Sequence, residues 1–346
     1  MNPLDGGERL GWAEGMRLLV LGGTHFLGRH VATAALDRGH EVATFTRGVS
    51  GEPPGGVRVL HGDRDDPAAL PAALDGWVPD LVVDTSCQTR AAARNAATAL
   101  SAAGGRAVRG YAFVSSLNAY ANWPPGPIGP EDGEPTWMTD DDEYGPVKAG
   151  AERVLGAAFP GRFLTARAGL IVGPHDRVDR LGWWLRRIAR GGRVVVPDAL
   201  DQPIAAVDAR DLAGWLVTMA EQGTSGAVNA TGPTGMTTLG GLLDLCRQVT
   251  GADAEWVAVP EADLVAAGVE PWLHLPLWLP AEVARTAWDV DTTRARQLGL
   301  PSRPLADTVA DTWAWLQSAG ELPPPPHGLP RPGLPADSEA ALLAGR

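Results

Sequence analysis

Arg17-Leu18-Leu19-Val20-Leu21-Gly22-Gly23-Thr24-His25-Phe26-Leu27-Gly28 (RLLVLGGTHFLG, 17–28) decides how this chain folds. The apolar run Arg17 to Leu21 reads as a buried strand, and Gly22-Gly23 ends it with residues suited to a tight turn. A helical pattern follows through Val31, Ala35 and Leu36 to Gly39. Strand, glycine turn and helix is the context in which backbone N–H groups at a helix start receive a pyrophosphate. Gly22 permits the turn and Gly28 lets the helix approach the strand. His25 stands where G-x-x-G-x-x-G has its middle glycine, so it must point away from a dinucleotide or touch it.

Working outward, residues 1–15 lack a basic segment followed by an apolar one and read as a flexible polar leader. On the other side, His40 to Thr46 is a second strand, with Arg47 following 19 positions after Gly28. An acid near this point suits a ribose 2′-hydroxyl, whereas an arginine suits a 2′-phosphate, so NADP is expected rather than NAD. Val57 to Leu60 is a third strand, and Asp63 beyond it is placed for the adenine side of a crevice at the strands' carboxyl ends. Residues 67–75 read as a short helix. Asp80 to Asp84 is a buried strand whose continuation, Thr85-Ser86, borders the same crevice. Residues 89–103 are helical, and Tyr111 to Ser115 is a fifth strand opening onto Ser116. Strands alternating with helices through short connections imply an α/β fold with a doubly wound parallel sheet covered on both faces.

Residues 122–142 form a long Pro-, Gly- and acid-rich loop carrying Trp123 and Trp137, expected to border the reacting site. Tyr144 to Leu155 is helical, and Phe163 to Ala168 is another strand leading to Pro174-His175-Asp176. Beyond it the spacing loosens. Helices are expected over Arg180 to Arg190, Asp208 to Glu221, Thr237 to Thr250 and Leu305 to Leu316, with short strands at Val194 to Val196, Ala227 to Ala230 and Trp256 to Val259. Val269 to Pro280 reads as irregular, and the Pro-rich tail from Leu322 as mobile. The expected organisation is a leader (1–15), a dinucleotide-binding domain (16–176), a mainly substrate-binding lobe interleaved with the last sheet strands (177–321), and the tail (322–346).

Composition bounds the function. The net charge of −12 argues against nucleic acid or an anionic membrane as the main partner. No apolar run reaches the roughly 18 residues of a membrane span. Two cysteines, Cys87 and Cys246, make no disulfide framework, which fits a reducing cytoplasm. The seven histidines are scattered, so no metal site is expected.

Tyr144-Gly145-Pro146-Val147-Lys148 carries the chemistry. Tyr144 and Lys148 are four apart and share one helix face. The cation favours the phenolate, which makes the pair an acid/base device. Lys148 is the sole lysine of the chain, beside one of its three tyrosines.

Together LGGTHFLG (21–28), Arg47, VSSLNAY (114–120), YGPVK (144–148), RAGLIVGPHD (167–176) and AAVDARDLAGW (205–215) resemble the short-chain dehydrogenase/reductase superfamily, in its extended or atypical epimerase/dehydratase-like branch. The glycine turn is similar to the GGxxxxG form of an atypical subgroup. The resemblance implies a Rossmann-type sheet with a smaller interleaved C-terminal substrate lobe. It implies Tyr144 as the catalytic tyrosine, Lys148 as the lysine on the nicotinamide ribose, and Ser116 as donor to the substrate oxygen. Gly22, Thr24, His25, Phe26, Leu27 and Gly28 match the pyrophosphate turn, Asp63 the adenine contact, and Pro174 and His175 the segment that closes over the nicotinamide. Homodimers are common in the family. Sugar dehydratases of the branch carry Asp-Glu after the active hydroxyl; here Leu117-Asn118 stand there, which disfavours water elimination.

The expected activity is NADP-dependent reduction of a carbonyl, or oxidation of an alcohol, on a small or medium substrate. Asn118, Trp123, Trp137, Trp183 and Trp184 are candidates for the substrate pocket, although most of the 13 tryptophans are expected to pack the second lobe. Arg177, Arg180, Arg186 and Arg187 can meet a substrate anion or form a solvated helix face. The rivals are an NAD(P)-dependent nucleotide-sugar epimerase and a non-catalytic cofactor-bound RNA-binding or regulatory protein.

Overall fold

A computed structural model describes residues 15–101 and 108–346. The proposed leader lies outside these residues, apart from Gly15. Five parallel strands lead the sheet: β1 (Arg17–Leu21), β2 (Glu41–Thr46), β3 (Arg58–His61), β4 (Leu81–Asp84) and β5 (Gly110–Ser116). β6 (Phe163–Ala168) continues it. The short strands β7 (Leu170–Val172), β8 (Gly192–Pro197), β9 (Pro203–Ile204) and β10 (Ala206–Asp208) lie outside it, and β11 (Gly226–Ala230) returns to it. The order is β3-β2-β1-β4-β5-β6-β11, parallel throughout, which is the Rossmann arrangement.

Two helical layers cover the sheet because β1, β4, β5 and β6 are buried on both faces. Leu18 and Val20 of β1 pack with Val31 and Ala35 of α1 (Phe26–Asp37). Leu19 and Leu21 point the other way, joining a cluster with residues of α2 (Ala69–Leu74), α3 (Arg90–Ser101) and α4 (Tyr144–Ala158). The alternation within five residues follows from the two-residue period of a strand.

After β6 the chain leaves the sheet through β7 and α5 (Arg180–Ala189) and comes back through α6 (Ala209–Glu221) and β11. α6 lies on the α1 face, with Leu212 and Leu216 in that cluster. Asp208 caps α6, its carboxylate accepting from the Arg210 N–H at 2.7 Å. The second lobe combines α5 with β12 (Thr237–Thr238), α7 (Leu239–Thr250) and β13 (Ala254–Val259), which pairs with β8. It ends with α8 (Glu261–Ala266), α9 (Ala281–Ala287), α10 (Thr293–Gln297), α11 (Leu305–Ala319) and α12 (Ala336–Ala344). The three short helices α8 to α10 have no counterpart in the sequence reading, because helices of five to seven residues show no full amphipathic period.

The tail differs from its reading as mobile. Leu322 and Leu334 are buried in the lobe's core. Glu339 on α12 accepts two bonds from the Arg187 Nε, at 2.7 and 2.8 Å, and one from the Val195 N–H. Proline removes backbone donors but does not prevent an extended segment from docking by its leucines. Among the described residues no helix is long and apolar enough to cross a membrane.

Candidate active site

Strand order reverses between β1 and β4, and the carboxyl ends of these strands border a crevice there. Gly22 and Gly23 leave β1 at φ +111° and +103°, the region glycine adopts without strain. A Cβ on Gly22 would lie 2.7 Å from the Thr85 Oγ1, and one on Gly28 would lie 2.6 Å from the Gly23 nitrogen. A side chain at Gly28 would push α1 away from the strand mouth, and one at Gly22 would press on Thr85 and Ser86 after β4. His25 is extended and its side chain does not cap α1, whose first turn contains no acid. The helix's leading N–H groups therefore face the crevice without a capping side chain, an arrangement that favours an anion. This cradle fits a dinucleotide pyrophosphate.

The other expected cofactor residues gather around the same edge. Thr85 donates through Oγ1 to the Leu21 carbonyl at 3.1 Å, and Ser86 Oγ accepts from Arg64 at 3.1 Å. Arg47 is exposed just beyond β2 and makes no hydrogen bond or ion pair with the described residues. Asp63 is exposed beyond β3, its carboxylate accepting from the Asp65 N–H at 3.0 Å. His30 Nε2 on α1 donates to the Pro174 carbonyl at 2.9 Å, which ties the 174–176 segment to the pyrophosphate helix. His175 adopts φ +69°, with its ring 5.5 Å from His30 and 5.3 Å from Trp315. Burial lowers the pKa of both imidazoles, that of His175 to about 4, where neighbouring positive charge on His30 and Arg29 adds to the effect.

The Ser-Tyr-Lys residues converge from two elements. Ser116 ends β5; its hydroxyl accepts from the Asn118 N–H at 3.2 Å and donates to the Asn118 Oδ1 at 3.0 Å. Tyr144 opens α4 and is 49% exposed, whereas Lys148, one turn on, is only 2% exposed. The Lys148 Nζ lies 5.5 Å from the Tyr144 ring centre and 5.2 Å from that of Phe113. It donates to the carbonyls of Cys87 at 2.8 Å and Val114 at 3.2 Å. Val114 is two residues before Ser116, so the ammonium links β5, the segment after β4, and the tyrosine. At Gly145 a Cβ would lie 2.3 Å from the Asn118 carbonyl, so glycine is needed for α4 to start this close to Ser116.

The tryptophans divide. Trp137 stays beside the site, its Nε1 donating to the Asn118 carbonyl at 3.0 Å. Trp123 donates to the Ala287 carbonyl at 2.8 Å and packs against a small cluster of Leu117, Tyr120, Ile128 and Val290. Trp184 is a correction: it is fully buried in the lobe's core and donates to the Pro276 carbonyl at 2.6 Å. Trp183 stacks edgewise on Trp184 and lies in a shallow groove with Trp313, packed on the core rather than beside Tyr144. Helical periodicity put both tryptophans on α5 without showing which face meets the lobe.

Two features escaped the sequence. Asp84 is fully buried, with its oxygens bound by Arg64 at 2.6 and 2.7 Å and by the Tyr111 hydroxyl at 2.9 Å. Burial beside this carboxylate raises the pKa of the Tyr111 phenol well above its ordinary range. Asp176 is buried too, and burial pushes its carboxyl up to about 6. Only the DRD order of residues 63–65 and the two aspartates bounding β4 hinted at the first. Among the described residues no group of three His, Cys, Asp or Glu side chains is arranged to hold a metal ion.

A glycine cradle at the switch point of a parallel sheet is the Rossmann arrangement for a dinucleotide. The chain belongs to the NAD-dependent epimerase/dehydratase family, whose model matches residues 18–231. It is similar to the 2′-dehydrokanamycin reductase of Streptomyces kanamyceticus, 30% identical over 191 residues, or 53% of this chain and 52% of that protein. The match spans about half the length of that relative. Solved structures with the same fold include Bordetella bronchiseptica WbmH in complex with NAD+, with a TM-score of 0.71, 18% identity, and coverage of 89% of this chain and 100% of that one. Another is the UDP-glucose 4-epimerase of Thermotoga maritima with UDP-glucose, with a TM-score of 0.68, 18% identity, and coverage of 88% and 100%. By that family the chain is of the extended short-chain dehydrogenase/reductase type.

Proposed function

We propose that the protein is an NADP-dependent carbonyl reductase, working in either direction, with Ser116, Tyr144 and Lys148 as its reacting group. The observation that carries this is the pair on α4: a buried ammonium fixed by two carbonyls, 5.5 Å from the ring of a half-exposed phenol. Gly22 to Gly28, Thr85, Ser86 and the Pro174-His175 segment would hold the cofactor, with Asp63 on the adenine side and Arg47 on the 2′-phosphate. When bound, the nicotinamide supplies or accepts the hydride.

The chain's own residues do the rest. The Ser116 hydroxyl is already oriented by Asn118 and donates to the substrate oxygen when it turns from Oδ1. Tyr144 passes its phenolic proton to that oxygen. Lys148 places positive charge against the ring, which stabilises the phenolate left behind. Its two carbonyl partners leave a third N–H for a ribose hydroxyl. Trp137 and the 122–142 loop border the substrate side.

The reductase relative supports this reading over epimerisation, and Leu117-Asn118 after Ser116 speaks against dehydration. The family and its epimerase neighbours favour a second reading, a nucleotide-sugar epimerase. The two differ in a stoichiometry: a reductase consumes NADPH mole for mole with substrate, an epimerase consumes none. Tyr144→Phe should bind NADPH normally and lose about 10²–10⁴-fold in turnover on a carbonyl panel. Near-normal turnover in that variant would remove the proposed role of Tyr144.

A further inference from the structure

Four arginines of the segment leading into and along α5 were candidates to meet a substrate anion, and the structure separates them. Arg177 donates to the carbonyls of Ser50 at 3.1 Å and Pro324 at 2.9 Å. Arg186 is bound to Asp179. Arg187 is buried with Glu339 and also donates to the carbonyls of Gly191 and Arg193. Arg180 alone of the four has no hydrogen-bond or ion-pair partner among the described residues.

Its surroundings make that condition costly. Arg180 is half-buried, and its guanidinium lies over the Trp272 ring at 5.1 Å. Burial lowers its pKa, a sign of a cation short of compensation. The nearby carboxylate of Asp176 makes no hydrogen bond or ion pair with it and accepts instead from the backbone of Val178 and Asp179, although its charge still acts on the guanidinium. The segment that carries Arg180 follows Pro174, whose carbonyl is bonded to His30 of the pyrophosphate helix, and the Tyr144 phenol is among the groups acting on its charge. A stacked, unpaired, planar cation therefore shares the cleft with the proposed acid.

We propose that Arg180 anchors an anionic group of the substrate, a carboxylate or a phosphate, next to the carbon that reacts. A guanidinium presents paired donors matched to either oxyanion, and a low-dielectric stacked setting strengthens such bonds. An incoming anion offsets the unpaired charge that the fold leaves in place. The proposal rests on the reading that Tyr144 faces the reacting carbon. It narrows the substrate class to oxo acids, hydroxy acids and phosphorylated carbonyl compounds.

The test is calorimetric titration of the full chain, saturated with NADPH, with inorganic phosphate and separately with malonate. The wild type should bind one anion, and whichever probe binds more tightly distinguishes the phosphate from the carboxylate. Arg180→Met should weaken that binding by about tenfold or more, as loss of a charged hydrogen-bonding partner does. Arg180→Lys, which keeps charge and fold, should retain an intermediate affinity. Arg190→Met, which removes an exposed cation from the opposite end of the same helix, should change nothing. Absence of anion binding in the wild type, or equal affinity in Arg180→Met, overturns the proposal. NADPH affinity is read separately, and the titrations are repeated without cofactor. Failure of NADPH binding then counts against the proposed function while the anion result stands by itself.

Discussion

Replacing Arg64 by methionine (Arg64→Met) should destabilise the protein far more than its position in a surface turn after β3 implies. The side chain is 11% exposed and holds Asp84, which is fully buried, by two bonds at 2.6 and 2.7 Å. It also donates to the Ser86 hydroxyl. Without it the Asp84 carboxylate keeps the Tyr111 hydroxyl and the Ser86 N–H, at 2.9 and 3.2 Å, and no cation. Leaving a buried charge uncompensated costs about 3–5 kcal/mol, against about 0–1 for an exposed pair. That is a large part of a native stability of roughly 5–15 kcal/mol. In Arg64→Met/Asp84→Leu both charges are gone, and the remaining loss is chiefly the unpaired Tyr111 hydroxyl, about 1–3 kcal/mol. The double variant should thus be more stable than the single one. Urea unfolding followed by tryptophan fluorescence measures both. If Arg64→Met costs less than about 1 kcal/mol, or the double variant costs the sum of its parts, the pair is not the buried element described here. NADPH affinity should fall in parallel, because Ser86 and the Cys87 carbonyl that receives Lys148 follow directly on Asp84.

Arg47→Asp should reverse the cofactor preference: NADPH affinity should drop and NADH affinity hold or rise, as read by fluorescence titration, and an unchanged ratio removes the assignment of Arg47 to the 2′-phosphate. Acid should destabilise the 174–176 segment through its histidines. The folded state lowers the pKa of His175 from 6.5 to about 4, so its contribution is full above 6.5 and is lost as pH falls through that interval. His175→Asn, which tolerates the positive φ, should therefore flatten the fall in unfolding midpoint between pH 6.5 and 4; an unaltered slope refutes this.

The sheet was legible because its signals are local. Residues 17–28 carry a strand, a positive-φ turn and a helix start in unbroken succession, and β4, β5 and β6 are short buried runs. The spacing of Tyr144 and Lys148 likewise becomes a shared helix face by the pitch of the helix alone. The C-terminal lobe was read less well. Its short helices lack periodicity, and the tail's proline content concealed two core leucines and the Glu339 partner of Arg187.

The sequence by itself determined the alternation of strands and helices, the glycine cradle and the tyrosine-lysine pair, since each depends on residues within about one turn or one strand of one another. Only the tertiary structure decided that Trp184 is core, that Arg64 serves Asp84 across 20 positions, and that Arg180 lies over the Trp272 ring without a hydrogen-bond or ion-pair partner among the described residues. Burial and pairing are properties of what arrives from elsewhere in the chain, and no local pattern encodes which distant side chain, if any, will meet a given charge.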